Sequence, residues 1–142
     1  MKTISQVLAR KGSEVYSVAP AARVIEAVKT MAEKRVGALL VLDNGKLKGI
    51  ISEQDYTRKI VLRDRIAEHL RVDEAMTSPV VCITPEHSIQ DGMAIMTDKR
   101  IRHLPVMAGG ELLGLVSIGD LVKEVISEQQ FMIDQLVQYI QG

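Results

Sequence analysis

The sequence has few aromatic residues, a single cysteine and no excess of charge of either sign. It contains no Trp, one Phe and three Tyr, and 18 Lys and Arg residues balance 18 Asp and Glu residues. A protein that stacks single-stranded nucleic acid needs aromatic platforms, and one that attracts polyanions by its overall field needs excess positive charge. We therefore expect neither a nucleic-acid-binding protein nor a protein that binds anionic membranes through its net charge.

The lone cysteine, Cys82, has no partner in the chain for an internal disulfide. It lies in the apolar run 80–83, where a buried thiol is the ordinary interpretation. No run reaches the roughly 18 consecutive apolar residues of a membrane span. The N-terminal segment carries charges at intervals and lacks the apolar core of a signal peptide. We expect a soluble, cytoplasmic protein.

What the sequence does contain is an internal duplication. The stretch GIISEQD at residues 49–55 returns as GLVSIGD at residues 114–120, an offset of 65 residues. The same offset pairs Val15 with Val80, Pro20 with Pro85, Met31 with Met96, Arg35 with Arg100, Leu39 with Leu104 and Val41 with Val106. Two copies at so long a period indicate two fused half-domains rather than an open solenoid, which needs three or more units.

Each copy has the pattern strand, helix, strand, strand, helix. Alternating and 3.6-residue apolar spacings place the first copy's elements at 15–18, 24–31, 37–42, 47–52 and 55–70. The second copy's elements fall at 80–83, 89–96, 104–107, 112–117 and from 120 to about 140. Asn44-Gly45 and Gly109-Gly110 are the predicted hairpin turns, because these residues tolerate positive φ. Short lead-in helices are predicted near residues 4–10 and 72–76.

The last helix carries an apolar stripe that extends further than one small domain can cover. Two explanations remain open. The stripe either packs back on the chain's own lead-in helix or forms the contact of a homodimer, and we favour the homodimer.

The repeated Ser-x-x-Asp has a structural and a functional interpretation. A serine followed three residues later by an acidic residue is a capping box, which by itself explains both Ser52 with Asp55 and Ser117 with Asp120. The alternative is a ligand site, because a strand-to-helix turn offers free N–H groups to an anion. A serine hydroxyl can donate to a phosphate, whereas a carboxylate accepts from neutral donors such as the two hydroxyls of a ribose. Phosphate and ribose together indicate a nucleotide.

The segment Arg102-His103 adds a second feature, since its counterpart in the first copy is Gly37-Ala38. Arginine binds phosphate through a planar fork, and histidine adds a pH-dependent donor. Taken alone, Arg102 also fits a solvated loop, and His103 also fits an ordinary core or surface histidine.

The duplicated unit resembles a pair of CBS domains, also called a Bateman module. The resemblance rests on Val18-Ala19-Pro20 and Ile83-Thr84-Pro85, on Arg102-His103-Leu104-Pro105-Val106, and on the repeated Gly-x-x-Ser-x-x-Asp. It implies an α/β fold of tandem βαββα repeats with pseudo-two-fold symmetry and short sheets packed against helices. We divide the chain into a first repeat with its lead-in helix (1–70), a second repeat (71–126) and a C-terminal helical extension (127–142).

The resemblance further implies a non-catalytic signal-transduction module like the stand-alone bacterial CBS-pair proteins. Members bind AMP, ADP or ATP, and in some cases NAD(H) or S-adenosylmethionine, in two clefts between the repeats. One site would join Ser52, Asp55 and Arg58 with Thr84, Ile101, Arg102, His103 and Pro105. The other would join Ser117 and Asp120 with Val18, Pro20, Gly37 and Ala38. Because Gly37 and Ala38 bring no cation, we expect the Asp55 site to bind the more strongly.

Two other classes of protein remain as alternatives. A ligand-free scaffold would use the repeats only for assembly, and Ser-x-x-Asp would then serve only as a cap. An enzyme is not expected, because the sequence shows no nucleophile beside a base, no Walker or dinucleotide glycine motif, and no metal spacing among His69, His87 and His103.

Overall fold

The computed structural model describes residues 2–63 and 66–141, which form two compact units. One unit is Glu14–Val81, and the other combines the chain up to Ser13 with the chain from Cys82 onwards. In chain order the elements are α1 (Ile4–Lys11), β1 (Ser17–Val18), α2 (Val24–Lys34), β2 (Ala38–Asp43), β3 (Lys46–Ser52), α3 (Glu53–Tyr56), α4 (Val72–Ala75), α5 (Ile89–Lys99), β4 (His103–Ala108), β5 (Glu111–Ser117) and α6 (Ile118–Gln141). The mixed α/β class predicted from the sequence is confirmed.

The unit Glu14–Val81 is built on a three-stranded sheet of order β1-β2-β3. β1 is parallel to β2, and β2 and β3 form an antiparallel hairpin. The hairpin turns at Asn44 and Gly45, whose φ angles of 51° and 77° are the positive values that a type I′ turn requires. One face of the sheet packs against α2 and α4, and the core contains Val24, Ala27, Met31, Leu39, Val41, Ile51, Ile60, Leu70, Val72 and Ala75.

The second unit is built on the antiparallel hairpin of β4 and β5. Its core contains Ile4, Val7, Ile83, Ile89, Met96, Leu104, Val106, Val116 and Leu121. Two of these residues belong to α1, which is tied to the start of α5 by backbone hydrogen bonds from Ile4 N to His87 O (2.9 Å) and from Ile89 N to Lys2 O (3.1 Å). The N-terminal helix thus completes the core of the second repeat, so the compact units divide the chain differently from the sequence segments 1–70 and 71–126.

The duplication extends to backbone conformation. Helices α2 and α5 both end on an arginine in the left-handed region, Arg35 and Arg100, each with φ of 56°. Gly109 and Gly110 have φ of 58° and 81° at the turn equivalent to Asn44-Gly45, as the sequence predicts. The two repeats therefore share turn and cap geometry as well as sequence.

Two predicted elements are wrong. Residues 80–83 do not form a strand, and only Ile83 makes a parallel bridge, to Val106. Pro85, like Pro20 two residues after β1, has no N–H to donate to a ladder, so in both copies the pairing stops before the proline. The closing helix predicted over 55–70 is instead α3, a π-helical turn at Thr57–Val61 and a 3₁₀ turn at Ala67–His69. After Ile60 the chain exposes Leu62 and Ile66, so no apolar face holds a longer helix on the core; residues 64 and 65 of that prediction lie outside the described residues.

The last predicted helix is confirmed as α6, with 24 residues. No helix within residues 2–63 and 66–141 combines the length and the apolar character needed to cross a membrane.

Candidate functional site

Asp120 is fixed at the junction between β5 and α6. The Ser117 N–H donates to Asp120 Oδ2 at 2.8 Å, and the Asp120 N–H donates to Ser117 Oγ at 3.1 Å. The serine ends the strand and caps the helix, so the capping interpretation is confirmed. The side chain is 19% exposed, which leaves the carboxylate partly accessible beside the positive end of the helix dipole.

Lys11, at the end of α1, binds the same carboxylate. Its Nζ lies 2.6 Å from Asp120 Oδ2 and 2.6 Å from the carbonyl oxygen of Leu115. The packing of α1 in this unit brings the two residues together although they are 109 positions apart. Sequence reasoning missed Lys11, because nothing in the repeated motif indicates where the lead-in helix packs.

A cavity of about 380 Å³ opens beside this ion pair. It is lined by Val7, Arg10, Lys11, Asp120, Lys123 and Glu124. Glu124 is only 7% exposed and binds Arg10 Nη1 at 2.9 Å and Lys2 Nζ at 2.8 Å. Lys123 makes no ion pair with any of the described residues. The three cations outnumber the two carboxylates in the lining, so the cavity suits an anionic group.

The pKa values of the acids reflect these contacts. Burial by itself raises the pKa of Asp120, but the hydrogen bonds from Lys11 and Ser117 outweigh it and hold the pKa below its ordinary value. Hydrogen bonds from Lys2 and Arg10 lower the pKa of Glu124. Both groups are therefore carboxylates at neutral pH.

His103 faces the same region from β4. It is the register partner of Ser117 in the β4–β5 hairpin, and the Ile118 N–H donates to the Arg102 carbonyl at 2.9 Å. Burial lowers the pKa of His103, and the charges of Lys11 and Arg102 lower it further against the opposing effect of Asp120. The imidazole is thus neutral at pH 7 and lies within the electrostatic reach of the Lys11–Asp120 pair.

Asp55 occupies the equivalent junction between β3 and α3 but is more enclosed. Its Oδ2 accepts from Ser52 N (2.9 Å) and Ser52 Oγ (3.1 Å). Its Oδ1 accepts from Thr77 Oγ1 at 3.0 Å and lies 3.3 Å from Lys59 Nζ. The two oxygens of Asp55 are both occupied, and the residue is 9% exposed. Asp120 differs, because among the described residues only its Oδ2 accepts hydrogen bonds.

A third capping box with the Ser-x-x-Asp pattern shows that this geometry does not by itself mark a ligand site. Ser88 N donates to Asp91 Oδ2 at 3.1 Å, and Asp91 N donates to Ser88 Oγ at 3.0 Å, at the start of α5. Ser88-Ile89-Gln90-Asp91 also has the Ser-x-x-Asp pattern but lacks the preceding glycine.

The glycine of the repeated motif is explained by packing. A Cβ on Gly114 would lie 2.8 Å from Leu8 Cδ2, and one on Gly49 would lie 2.5 Å from Met76 Sδ. Each strand glycine does mark a close approach, as the sequence predicts. The approaching group is a side chain from the neighbouring lead-in segment, at α1 or just after α4.

The remaining predicted residues are distributed over the two units. The unit Glu14–Val81 contains Val18, Pro20, Gly37, Ala38, Ser52, Asp55 and Arg58. The other unit contains Thr84, Ile101, Arg102, His103, Pro105, Ser117 and Asp120. Within the second unit, Thr84 Oγ1 lies 2.8 Å from His87 Nδ1. Each of the two predicted ligand sites draws residues from both units, so those combinations stay predictions.

Comparisons with known proteins give a consistent assignment of the family. The model of the CBS domain family matches residues 4–62 and 72–127, so it finds the two repeats. A protein with CBS domains from Burkholderia ambifaria is 47% identical, with a TM-score of 0.86 over 90% of this chain and 96% of that chain. The mitochondrial CBS domain-containing protein CBSX3 of Arabidopsis thaliana is 42% identical over 124 residues, or 84% of this chain. The present chain spans 60% of the length of CBSX3.

A more distant similarity concerns the fold alone. The crystal structure of CBSX2 in complex with AMP is 20% identical and has a TM-score of 0.74, with coverage of 91% of this chain and 99% of that chain. The two matched repeats and the close structural similarity lead to one conclusion: the chain belongs to the CBS domain family and contains a pair of CBS domains.

Proposed function

We propose that this chain is a non-catalytic regulatory module that binds an adenine nucleotide and signals the energy or redox state of the cell to a partner protein. AMP is the first candidate, and ADP, ATP and NAD(H) are the others. Association as a homodimer is part of this proposal. The observation that carries it is the half-buried Asp120 carboxylate, held in place by Ser117 and Lys11 beside a cavity with excess positive charge.

The arrangement at Asp120 suits both chemical parts of a nucleotide. Oδ1 of Asp120 accepts no hydrogen bond from the described residues, so it can accept from a ribose hydroxyl. The Lys11 ammonium has three donors, of which two are used, and Lys123 brings a further positive charge to the cavity. An adenosine phosphate needs a carboxylate that accepts hydrogen bonds from the ribose diol. It also needs nearby ammonium groups that attract the phosphate, and this site offers both.

We propose a ranking of the two aspartates that differs from the one the sequence favours. The sequence favours Asp55, because the family resemblance joins it with Arg102 and His103, whereas Gly37 and Ala38 bring no cation to Asp120. The structure supplies a cation to Asp120 through Lys11, and it encloses Asp55 with four internal contacts. A ligand at Asp55 would have to displace Thr77 or Lys59, whereas Asp120 offers an oxygen directly. We therefore propose Asp120 as the stronger site.

The family assignment supports the regulatory part of the proposal, because CBS pairs are generally regulatory modules. The AMP complex of CBSX2 supports the choice of ligand, since it shows that this fold can hold an adenine nucleotide. The finer assignments of Val18, Pro20, Gly37, Ala38, Thr84, Ile101 and Pro105 to a cleft remain part of the proposal.

Isothermal titration calorimetry with AMP tests the proposal. We expect Asp120→Asn to weaken binding by about tenfold to a hundredfold, because hydrogen bonds to a charged group contribute about 1.5–3 kcal/mol. Asp55→Asn should weaken it less. Asp91→Asn is the matched control, since Asp91 makes the same capping contacts in the third box, and this variant should bind as the wild type does. Wild-type affinity in Asp120→Asn would refute the site, and a larger loss in Asp55→Asn would restore the ranking from the sequence.

The same titrations separate the other functions. S-adenosylmethionine has no phosphate, so binding of this compound without binding of AMP would assign the site to it. Absence of binding for AMP, ATP, NAD(H) and S-adenosylmethionine would indicate a ligand-free assembly module, in which the serines and aspartates serve only as caps. Turnover of any of these compounds would contradict the non-catalytic assignment.

A further inference from the structure

Helix α6 presents two different faces. The face that carries Leu121 and Glu124 packs into its own unit, where Leu121 is fully buried and Glu124 binds Lys2 and Arg10. The same face continues to Glu128, whose carboxylate accepts from the Lys2 backbone N–H at 3.2 Å. The helix then runs on to Gln141 with its side chains exposed. The contact with its own unit therefore covers only one side of the first half of α6.

A second row of side chains faces solvent on the opposite side of α6, and we call this row the seam. The seam consists of Val122, Ile126, Gln129, Ile133, Leu136 and Ile140. Its residues are spaced four, three, four, three and four apart, which is the a and d spacing of a heptad repeat. At 1.5 Å per residue it is about 27 Å long.

The apolar side chains of the seam are exposed along its whole length. Val122 is 38% exposed, Ile126 59%, Ile133 52%, Leu136 60% and Ile140 82%. Each lies on an ordered helix and not on a loop. A continuous row of this kind marks an interaction surface.

We propose that α6 pairs through this seam with α6 of a second copy, as a parallel two-stranded coiled coil. Isoleucine stands at all three a positions, 126, 133 and 140, and Leu136 stands at a d position. Isoleucine at a with leucine at d favours two parallel strands, whereas leucine at a with isoleucine at d favours larger assemblies. Among parallel assemblies, the isoleucines at the a positions thus favour a dimer.

Gln129 selects the alignment of the two helices. It is the one polar residue of the seam, at a d position. In a parallel, in-register pair the two Gln129 side chains face each other, and each amide can donate to and accept from the other. Any shifted register would bury this amide against an apolar side chain and leave it without a partner, which is unfavourable.

The distribution of charged residues along α6 agrees with a second copy of the chain as the partner that covers the seam. Glu128 and Asp134 fall at the outer c and b positions, so the two helices bring no acidic residue against another. The flanking e and g positions from residue 125 onwards are Val125, Gln130, Met132, Val137 and Tyr139, all uncharged. A membrane surface fits poorly, because interfacial helices carry Lys and Arg on their polar face and α6 has none after Lys123.

Sedimentation equilibrium of the full chain tests the proposal with a matched pair of variants. Ile133→Glu places a charge in the seam, and Phe131→Glu places the same charge on an apolar residue outside it, with 64% exposure against 52% for Ile133. Neither residue lies in a core, and circular dichroism checks the folding of each variant. We expect the mass of Ile133→Glu to be about half that of the wild type at equal concentration, and the mass of Phe131→Glu to be unchanged. A monomeric wild type, or equal masses for the two variants, would overturn the proposal.

Cysteine cross-linking tests the orientation. In a Cys82→Ser background, Leu136→Cys places thiols at facing d positions of a parallel pair, within disulfide reach. Gln138→Cys, at the outer f position, is the control. Mild oxidation should convert Leu136→Cys to a covalent dimer much faster than Gln138→Cys. Equal rates of cross-linking would exclude a parallel, in-register seam. This inference rests on the homodimer part of the function proposed above and names its interface. Neither experiment involves nucleotide, so a failure of the seam is distinguishable from a failure of the nucleotide site in the AMP titrations.

Discussion

At the scale of single residues, Lys11 and Asp120 set the charge of the candidate site. Their 2.6 Å contact joins the last turn of α1 to the first turn of α6, and the Leu115 carbonyl holds the same ammonium. The carboxylate is thereby kept ionised although it is partly buried. The proposed ligand would meet a site in which one oxygen of Asp120 is occupied and the other is open.

Replacing Lys11 should raise the pKa of Asp120. In Lys11→Met, burial continues to disfavour the carboxylate while the ammonium that stabilises it is lost. NMR titration of the side-chain carboxyl carbon measures the change. Lys123→Met is the control, because Lys123 lines the same cavity but makes no ion pair with the described residues. An unchanged pKa in Lys11→Met, or an equal change in Lys123→Met, would contradict this account.

The same substitution has a consequence for acid stability, and its sign follows from the direction of the shift. The folded pKa of Asp120 lies below its unfolded value of about 3.9, so its contribution to stability is present above that pH and is lost as pH falls through the folded pKa. Lys11→Met should remove this contribution at neutral pH. The loss of stability on acidification should accordingly be shallower than in the wild type when urea unfolding is followed from about pH 6 down to pH 3.

At the scale of elements, the two lead-in segments pack against the strand glycines. Leu8 of α1 covers Gly114 of β5, and Met76 after α4 covers Gly49 of β3, with the two contacts at equivalent places in the two units. The short lead-in segments are thus parts of the cores. A Cβ at either glycine would force the opposing side chain to move, because that side chain occupies the space of the Cβ.

Gly114→Ala should therefore destabilise the protein by about 1–3 kcal/mol through overpacking against Leu8. Gly119→Ala is the control, because its nearest neighbour is Ser117 Oγ at 3.6 Å and alanine in a helix is favoured over glycine by about 1 kcal/mol. Chemical denaturation measures the stability of both variants. The double variant Leu8→Ala with Gly114→Ala should lose less than the sum of the single losses, since the shorter side chain makes room for the added methyl group. Simple additivity would refute the contact.

At the scale of the whole molecule, the proposed ligand should couple to global stability. AMP at about 100 times its dissociation constant should add roughly 2.7 kcal/mol to the free energy of unfolding, because it binds only the folded protein. Differential scanning calorimetry measures this as a rise in melting temperature, with Asp120→Asn as the variant in which the rise is reduced. No rise in the wild type would contradict nucleotide binding.

Hydrogen exchange can show which parts of the chain the ligand reaches. If the predicted combinations of residues are correct, AMP should slow exchange in both compact units, for example near Gly37 and near Arg102. Slowing confined to the unit that contains Asp120 would instead support a site formed by that unit alone.

Local signals in the sequence were sufficient for most of the fold. Asn44-Gly45 and Gly109-Gly110 predicted the hairpins because positive φ is a property of those residues themselves. The capping role of Ser52 and Ser117 was likewise readable, because the serine and the aspartate are one helical turn apart. The closing helix over 55–70 was mispredicted, because Leu62 and Ile66 continue the apolar pattern after Ile60 but are exposed to solvent.

The sequence by itself determined the duplication, the order of the elements, the turns and the family, since each depends on residues close together or on a comparison of the chain with itself. Only the tertiary structure decided that α1 completes the core of the second repeat and that Lys11 neutralises Asp120. Lys11 and Asp120 are 109 positions apart, and the contacts of α1 with the second repeat likewise join distant parts of the chain. No local pattern encodes them, because they depend on which apolar face each helix buries when the chain closes. For the same reason the structure, and not the motif, distinguishes the open Asp120 from the enclosed Asp55.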